Sequence, residues 1–424
     1  MPDQLLDLTI GPPAHGGHCV ARHDGRVVFV RHTLPGERVR ARVTDATSRY
    51  WRADAIEVLE PSPDRVPSVW PEAGPGGVGG GELAHVALPA QRAWKRDVIT
   101  DALRRIGHIG PDHPAVAPLQ VEYVPLPEGP SPVPGTGYRT RVTLIADGEG
   151  RAGMHGHRSD AVLGVGSLPL AHARIHELDL LGRTWPAGAR IQAVAPSAGA
   201  PVVLVDGRPS EATSRGRRAA GNTDRPARVR EVVRTGEQTY TYRVSADGFW
   251  QAHAGAPAAL VAEVLRAAEL RPGQRVLELY SGSGLFTAPL AAAVGAQGRV
   301  DAVEGASGAV RDARRNAHGL DQIHLHDADV RRFVTGHAQA GGDDGRADVV
   351  VLDPPRSGAG EAVMRALVAT GPERVVYVAC DPAALARDAA AARNVGYELA
   401  SLTAFDLYSH THHVECVAVL APGV

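Results

Sequence analysis

Apolar residues follow two different periods along this chain, and the change comes near Phe249. Beyond it, short β-branched runs alternate with segments of helical spacing. The runs predict strands at Arg275–Leu279, Arg299–Val303 ending in Glu304, Ile323–Leu325, Asp348–Leu352 and Val375–Ala379. Helices are predicted between them at 257–268, 285–294, 309–318 and 382–393. Glu398–Leu402 and Val414–Leu420 read as a closing antiparallel hairpin. Strand and helix in alternation predict a doubly wound, Rossmann-like α/β domain over 249–424.

Before Phe249 the periods differ. Residues 1–60 read as short strands broken at Gly16-Gly17 and Asp24-Gly25, as in a small β-barrel. Strict alternation puts Val39, Ala41 and Val43 on one face and Arg38, Arg40 and Arg42 on the other. Three arginines on one strand face suit a chain of phosphates, and they equally suit a solvated face. Residues 61–248 read as a central α+β domain. It opens on a Pro/Gly-rich stretch around Pro71–Gly81, followed by a helix at 91–106 carrying Trp94, Val98, Ile99, Ala102 and Leu103. A strand at 138–145 puts Arg139 and Arg141 on one face. Seven arginines crowd 214–234, and they fit either RNA contact or a solvated loop.

The 424 residues carry a net charge of −2, so any surface for nucleic acid must be local. Lys95 is the only lysine. No apolar run is long enough to span a membrane, and the amino terminus has no basic signal segment, so a cytoplasmic protein is expected. Cys19, Cys380 and Cys416 are too far apart for a disulfide framework or a CxxC metal site. His410, His412 and His413 lack the spacing of a zinc site, so no metal is expected. Nothing indicates an obligate protein partner, and a monomer is expected.

Two constellations carry chemistry. Val276–Leu279 feeds Tyr280-Ser-Gly282-Ser-Gly284, a turn whose glycines let a ligand approach the backbone. A nicotinamide fingerprint would place a third glycine where Thr287 stands, which disfavours hydride chemistry. Glu304 ends the next strand, where a ribose diol would lie. Glu278 can meet an ammonium, and Asp329 an adenine amino group or a helix end. Together they indicate S-adenosylmethionine. The second constellation is Asp353, Cys380 and Glu415. Carbon 5 of uracil is a weak nucleophile until a thiolate adds to carbon 6, and a base must later remove the carbon 5 proton. A cysteine ahead of the Asp381-Pro382 helix start could supply the thiolate, although it could also be a buried core thiol.

Asp353-Pro-Pro-Arg-Ser-Gly, Tyr377-Val-Ala-Cys-Asp-Pro and His410-Thr-His-His-Val-Glu-Cys resemble the signature blocks of the RNA 5-methyluridine methyltransferases. Phe249-Trp-Gln and Tyr280-Ser-Gly-Ser-Gly are similar to that family's donor-binding blocks. Val28-Phe-Val with Leu34-Pro-Gly-Glu resembles its OB-like RNA-binding barrel, TRAM. The resemblance implies a class I methyltransferase domain behind that barrel and a central domain, methylating uridine in tRNA or rRNA. It implies Cys380 as nucleophile and Glu415 as base. Gln251, Tyr280, Glu304, Asp329 and Asp353 would line the donor, with Phe249 stacking on the target base and Arg356 orienting substrate. Many members hold an iron–sulfur cluster on four cysteines. Here glycines near Gly76–Gly81 and Ser167 stand in that region, so no cluster is expected. Two other readings use the same segments: an amino methyltransferase of RNA or protein, and an RNA-binding protein without turnover.

Overall fold

The computed structural model describes residues 3–157, 159–210, 227–340 and 346–423, with side chains omitted at 337–340. The chain forms two compact units. One comprises Met1–Val98, Glu128–Ala193 and Tyr408–His413; the other comprises Ile99–Pro127, Val194–Leu407 and Val414–Val424.

The first unit holds a six-stranded sheet built from the first 60 residues. Arg38–Ala46 alternates as its sequence predicts, with Val39, Ala41 and Val43 in the core. Three register shifts interrupt its pairing with Tyr50–Glu60, and such bulges increase the twist that curls a sheet. Leu6, Leu8, Val28, Val30 and Ala53 fill the interior, covered by Trp94 and Val98. The Leu34-Pro-Gly-Glu37 turn is fixed by its own glutamate. Glu37 is fully buried, accepts from Leu34 N–H at 2.8 Å and pairs with both ends of the Arg65 fork at 2.6 and 2.7 Å.

The Pro/Gly-rich stretch is an ordered loop. Glu72 closes it: its carbonyl accepts from Val78 N–H at 2.9 Å. Its carboxylate accepts from Trp70 Nε1 at 3.1 Å, Gly166 N–H at 2.5 Å and Ser167 Oγ at 3.2 Å. A Cβ on Gly77 would lie 2.0 Å from the Glu72 carbonyl oxygen, so the loop admits only glycine there. In the same unit, His410 is gripped by Gln91, which accepts from its N–H at 2.6 Å and contacts its Nδ1 at 3.1 Å. His412 stands 3.3 Å from Glu82. Among the described residues no three His, Cys, Asp or Glu side chains converge as a metal site.

The second unit is the doubly wound domain. Its eight-stranded sheet runs Ile323–Asp327, Arg299–Glu304, Arg275–Leu279, Val349–Leu352, Arg374–Ala379, Glu415–Pro422, Tyr397–Asp406 and Val121–Tyr123. The first five strands are parallel. Val349–Leu352 is buried throughout, as a parallel strand covered on both faces requires. Glu415–Pro422 is antiparallel to both neighbours, forming the expected closing hairpin with Tyr397–Asp406. Strand Val121–Tyr123 at the edge, helices Val330–Ala340 and Glu361–Ala369, and hairpin Arg228–Thr235/Gln238–Ser245 are additions to the sequence reading. Three edge residues leave no periodicity to detect. Of the arginine-rich segment, Arg228, Arg230 and Arg234 lie on that hairpin, while Arg215, Arg217, Arg218 and Arg225 fall outside the described residues. No described helix is long and apolar enough to cross a membrane.

Candidate active site

Chain order in the sheet reverses between Arg275–Leu279 and Val349–Leu352, and open α/β sheets bind ligands at such a switch point. The predicted residues of the second unit follow this rim. Asp329, Glu304 and the Tyr280–Gly284 turn lie on one side of the switch, and Asp353, Cys380 and Glu415 on the other.

On the first side the glycine turn is held from below. Glu304 Oε2 accepts from Gly282 N–H at 2.9 Å, and its Oε1 accepts from Ala306 N–H at 2.6 Å. Tyr280, Gly282 and Gly284 all have positive φ, at 59°, 57° and 92°. Only the two glycines take that conformation without strain. Glu278 is buried beneath the turn. Its Oε2 accepts from Thr287 Oγ1 at 2.6 Å, while its Oε1 meets no donor. Burial is the main cause that pushes its carboxyl up to about 8, and the charges of Asp353 and Glu304 add to it. Ser281 Oγ is likewise buried without a partner. An orphaned carboxylate oxygen and hydroxyl at a glycine turn fit the ammonium and polar atoms of an amino-acid donor. Asp329 caps the helix Val330–Ala340 by accepting from Arg332 N–H at 2.9 Å. Gln251 is buried beside Trp250, whose ring packs 5.2 Å from Tyr242. That anchor leaves Phe249 78% exposed, with its ring offered to solvent.

On the second side, backbone register brings Cys380 and Glu415 near one another. Ala379 pairs with Cys416 and Val378 with Val417; the pairing ends there, and its register continued by one residue would place Cys380 opposite Glu415. Directly opposed residues of an antiparallel pair share a face, with Cβ atoms about 5 Å apart. Asp353 follows the adjacent strand and its N–H points to Leu279 O at 3.4 Å. Burial pushes Asp353 up to about 7. Burial and then the Asp353 charge raise Glu415 well above the usual carboxyl range, with Arg356 pulling it back. Burial, then the Glu415 and Asp353 charges, push the Cys380 thiol up to about 12 against the pull of Arg356. Asp381 does cap the helix Pro382–Arg393, accepting from Ala384 N–H at 2.8 Å. The helix terminus is therefore outweighed, and the resting enzyme holds a thiol. Alkylation of Cys380 by iodoacetamide should run on the order of 30-fold slower than free cysteine near pH 8.5. It should go on accelerating up to about pH 12, as read by peptide mass spectrometry. A rate equal to free cysteine at neutral pH would mean a preformed thiolate.

The loop carrying Asp353-Pro-Pro-Arg356 is held by a residue to which the sequence reading gave no role. Asp388 is buried on helix Pro382–Arg393 and accepts from Ala359 N–H at 2.7 Å, Gly360 N–H at 3.1 Å and Tyr377 O–H at 2.6 Å. Its signal was a lone acid on the face shared by Leu385 and Ala392 in an alanine-rich helix. Asp388→Ala should lower stability by about 3 kcal/mol, one per lost bond. Turnover should fall with it, because the three bonds fix the loop that carries Asp353 and Arg356. Equal melting temperatures for variant and parent would contradict this.

Arg38, Arg40 and Arg42 belong to the first unit. Arg38 pairs with Glu60, and Arg40 lies between Asp7 and Glu57. For Arg38 and Arg40, contact with phosphate would require exchanging those partners. Arg42 is exposed.

Fold and rim define a class I S-adenosylmethionine-dependent methyltransferase. The sequence profile of the tRNA (Uracil-5-)-methyltransferase family matches residues 212–422, and that of the TRAM domain matches 2–56. An uncharacterized RNA methyltransferase of Streptomyces coelicolor is 39% identical over 98% of this chain and 93% of its own. A 23S rRNA (uracil(1939)-C(5))-methyltransferase of Alkalilimnicola ehrlichii is 32% identical over 99% of this chain and 97% of its own. The fold is shared with Pyrococcus abyssi tRNA (uracil-54, C5)-methyltransferase, solved with S-adenosyl-L-homocysteine. Its TM-score is 0.68 at 21% identity, over 98% of this chain and 100% of that one. The chain belongs to the RNA uracil-5-methyltransferase family, with an N-terminal TRAM domain.

Proposed function

We propose that this enzyme forms 5-methyluridine in tRNA or rRNA through a covalent bond between Cys380 and the target uracil. The observation that carries the reading is the Ala379–Cys416 pair at the rim, which brings Cys380 next to Glu415, with the Glu415 and Asp353 charges both acting on the thiol. Phe249 stacks on the extruded base, and Arg356 orients it while offsetting the carboxylate charges. Cys380 gives its thiol proton to solvent, its Sγ bonds to carbon 6, and the carbon 5–carbon 6 π pair moves onto carbon 5, from which it takes the methyl group. S-adenosylmethionine, when bound, supplies the electrophilic methyl group. Gln251, Tyr280, Gly282, Gly284, Glu304, Asp329 and Asp353 hold it, with Glu278 opposite its ammonium. Glu415 then takes the carbon 5 proton and the Sγ–carbon 6 bond breaks. A carboxylate whose pKa is raised by burial is a stronger base toward a carbon acid.

The work divides along the chain, with 1–60 and 61–248 contacting RNA and 249–424 performing chemistry in the cytoplasm as a monomer. Arg38 and Arg40 join the RNA surface by trading their carboxylates for phosphates, and the exposed Arg42 joins it from the same strand. Nucleoside mass spectrometry tests the reading. RNA from a deletion strain should lack one 5-methyluridine, and purified enzyme with S-adenosylmethionine should restore it. A methyl group found on nitrogen, or on protein, would overturn the proposal.

The chain is also proposed to carry no iron–sulfur cluster. In the region where many relatives place cysteines, a glycine loop is closed instead by the Glu72 carboxylate on Gly166 and Ser167. Anaerobically purified protein should be colourless. Stoichiometric iron and sulfide would contradict this.

A further inference from the structure

The hairpin Arg228–Thr235/Gln238–Ser245 carries a charged face that the mechanism above does not use. Its register pairs Arg228 with Ser245, Arg230 with Arg243, Val232 with Thr241 and Arg234 with Thr239. Opposed residues share a face, so this face holds four arginines, three hydroxyls and one valine, with no acid. All four arginines are exposed. Among the described residues, the one ion pair to them is Arg228 Nε with Asp312, at 3.8 Å. Asp312 is already engaged, accepting from Ser245 N–H at 2.6 Å and from Arg315 Nη1 at 3.1 Å. Arg230 lies directly across from Arg243, and like charges so placed repel. On the barrel strand, by contrast, Arg38 and Arg40 meet carboxylates.

The ribbon beneath these charges is fixed. A two-stranded hairpin is marginal on its own, so its anchors matter. Its other face buries Val229, Val233, Tyr242 and Val244 and packs on helix Ala256–Ala268. Tyr242 O–H donates to Leu285 O at 2.8 Å. Both outer edges are taken. On one side Ala198 N–H donates to Arg230 O at 3.2 Å, and Val232 N–H donates to Ser197 Oγ at 2.6 Å. On the other, Arg243 N–H donates to Asn316 Oδ1 at 2.8 Å. With its edges occupied, the ribbon meets a partner through its arginine face.

Arginine and hydroxyl side chains are the groups that meet phosphate and sugar oxygens. The face has no aromatic ring on which a base could stack. It therefore suits a polyanionic backbone and reads no sequence. Beyond Ser245, a turn closed by Gly248 N–H on Ser245 O at 3.0 Å leads into Phe249. The steps from Ser245 to Phe249 span at most about 14 Å, so a strand that delivers its base to Phe249 comes within reach of the ribbon. We propose that this arginine ribbon grips the sugar-phosphate backbone of the substrate RNA beside the uridine that is methylated. The proposal rests on the chain's action on RNA and adds the place where that RNA is held.

The test uses the full chain and single-stranded RNA dodecamers of uridine and of adenosine. Arg230→Gln/Arg243→Gln should weaken the binding of both about tenfold or more at about 0.1 M salt. It should also flatten the salt dependence by about 1.4 in logarithmic slope, the share of two phosphates on a single strand. Affinity for S-adenosylhomocysteine should match the parent's. Arg230→Glu should pair with Arg243, raising the melting temperature while weakening both dodecamers; a merely structural role would make stability and binding fall together. In the parent protein, either dodecamer should shield Arg230, Arg234 and Arg243 from phenylglyoxal, as read by peptide mass spectrometry, and this measurement decides alone if a variant does not fold. Parent affinity and slope in the double variant, or arginines that stay reactive under bound RNA, overturn the ribbon and leave the methylation reading standing. A loss confined to one dodecamer overturns backbone contact in favour of base reading. A parent protein that binds no RNA and forms no 5-methyluridine overturns both readings.

Discussion

Glu415→Gln should arrest the enzyme as a protein–RNA adduct. In the proposed cycle the thiol adds first, methyl transfer follows, and only then must a base remove the carbon 5 proton. Glutamine preserves shape and hydrogen bonding but cannot accept that proton. Turnover should fall by at least about a thousandfold, within the range that a general base contributes. The species that accumulates should contain Cys380, uracil and the new methyl group. A denaturing gel should show one slow band carrying both protein and labelled RNA. Methyl label should enter that band only from labelled S-adenosylmethionine. The opposition of Glu415 to Cys380 across the strand pair makes the variant informative, because both groups reach the same ring. Burial also favours a stable trap, since glutamine removes a carboxyl that is costly to ionise there. Normal turnover would exclude Glu415 as the base and turn attention to Asp353, the half-buried carboxyl on the neighbouring strand.

Cys380→Ala should abolish methylation, by about four orders of magnitude or more, and leave donor binding intact. Without the sulfur, carbon 5 is never activated. Most of the proposed donor residues lie across the switch point, at Glu278, the glycine turn and Glu304, and the substitution touches none of those; Asp353, beside Cys380, keeps its carboxyl. Calorimetry with S-adenosylhomocysteine should give the parent's affinity. The double variant Cys380→Ala/Glu415→Gln should give no slow band. Appreciable turnover by the single variant would remove the covalent route and favour amino methylation. Tight RNA binding without turnover in the parent protein would favour a binding role alone.

Much of the rim was legible because several of its residues end an apolar run, with proline or glycine one or two positions further on. Asp353, Cys380 and the Tyr280 turn all follow that pattern, and the strands that carry them end within a residue of the expected positions. Local signals of this kind survive folding because parallel strands are buried along their length. What was not legible depends on pairing between distant segments. Three arginines alternate along one strand, but only the barrel's register shows that Asp7, Glu57 and Glu60 face Arg38 and Arg40. The thiol looked tunable from its helix start, yet burial and two carboxylates from other strands decide its protonation. Glu72 sat unnoticed in a run of glycines, because its partners Gly166 and Ser167 come from more than ninety residues away.

The antiparallel strand Glu415–Pro422 works as a ruler for the reaction. The proposed nucleophile and base belong to neighbouring backbones, and the ladder that ends at Ala379 and Cys416 fixes how far apart they stand. A slip of one residue would bring Cys416 or Val414 opposite Cys380 and turn the carboxyl to the other side of the sheet. Inserting or deleting a residue among Val417–Leu420 should therefore silence the enzyme from a position that no substrate reaches. The hydrophobic side chains of that run hold the reading mark in place.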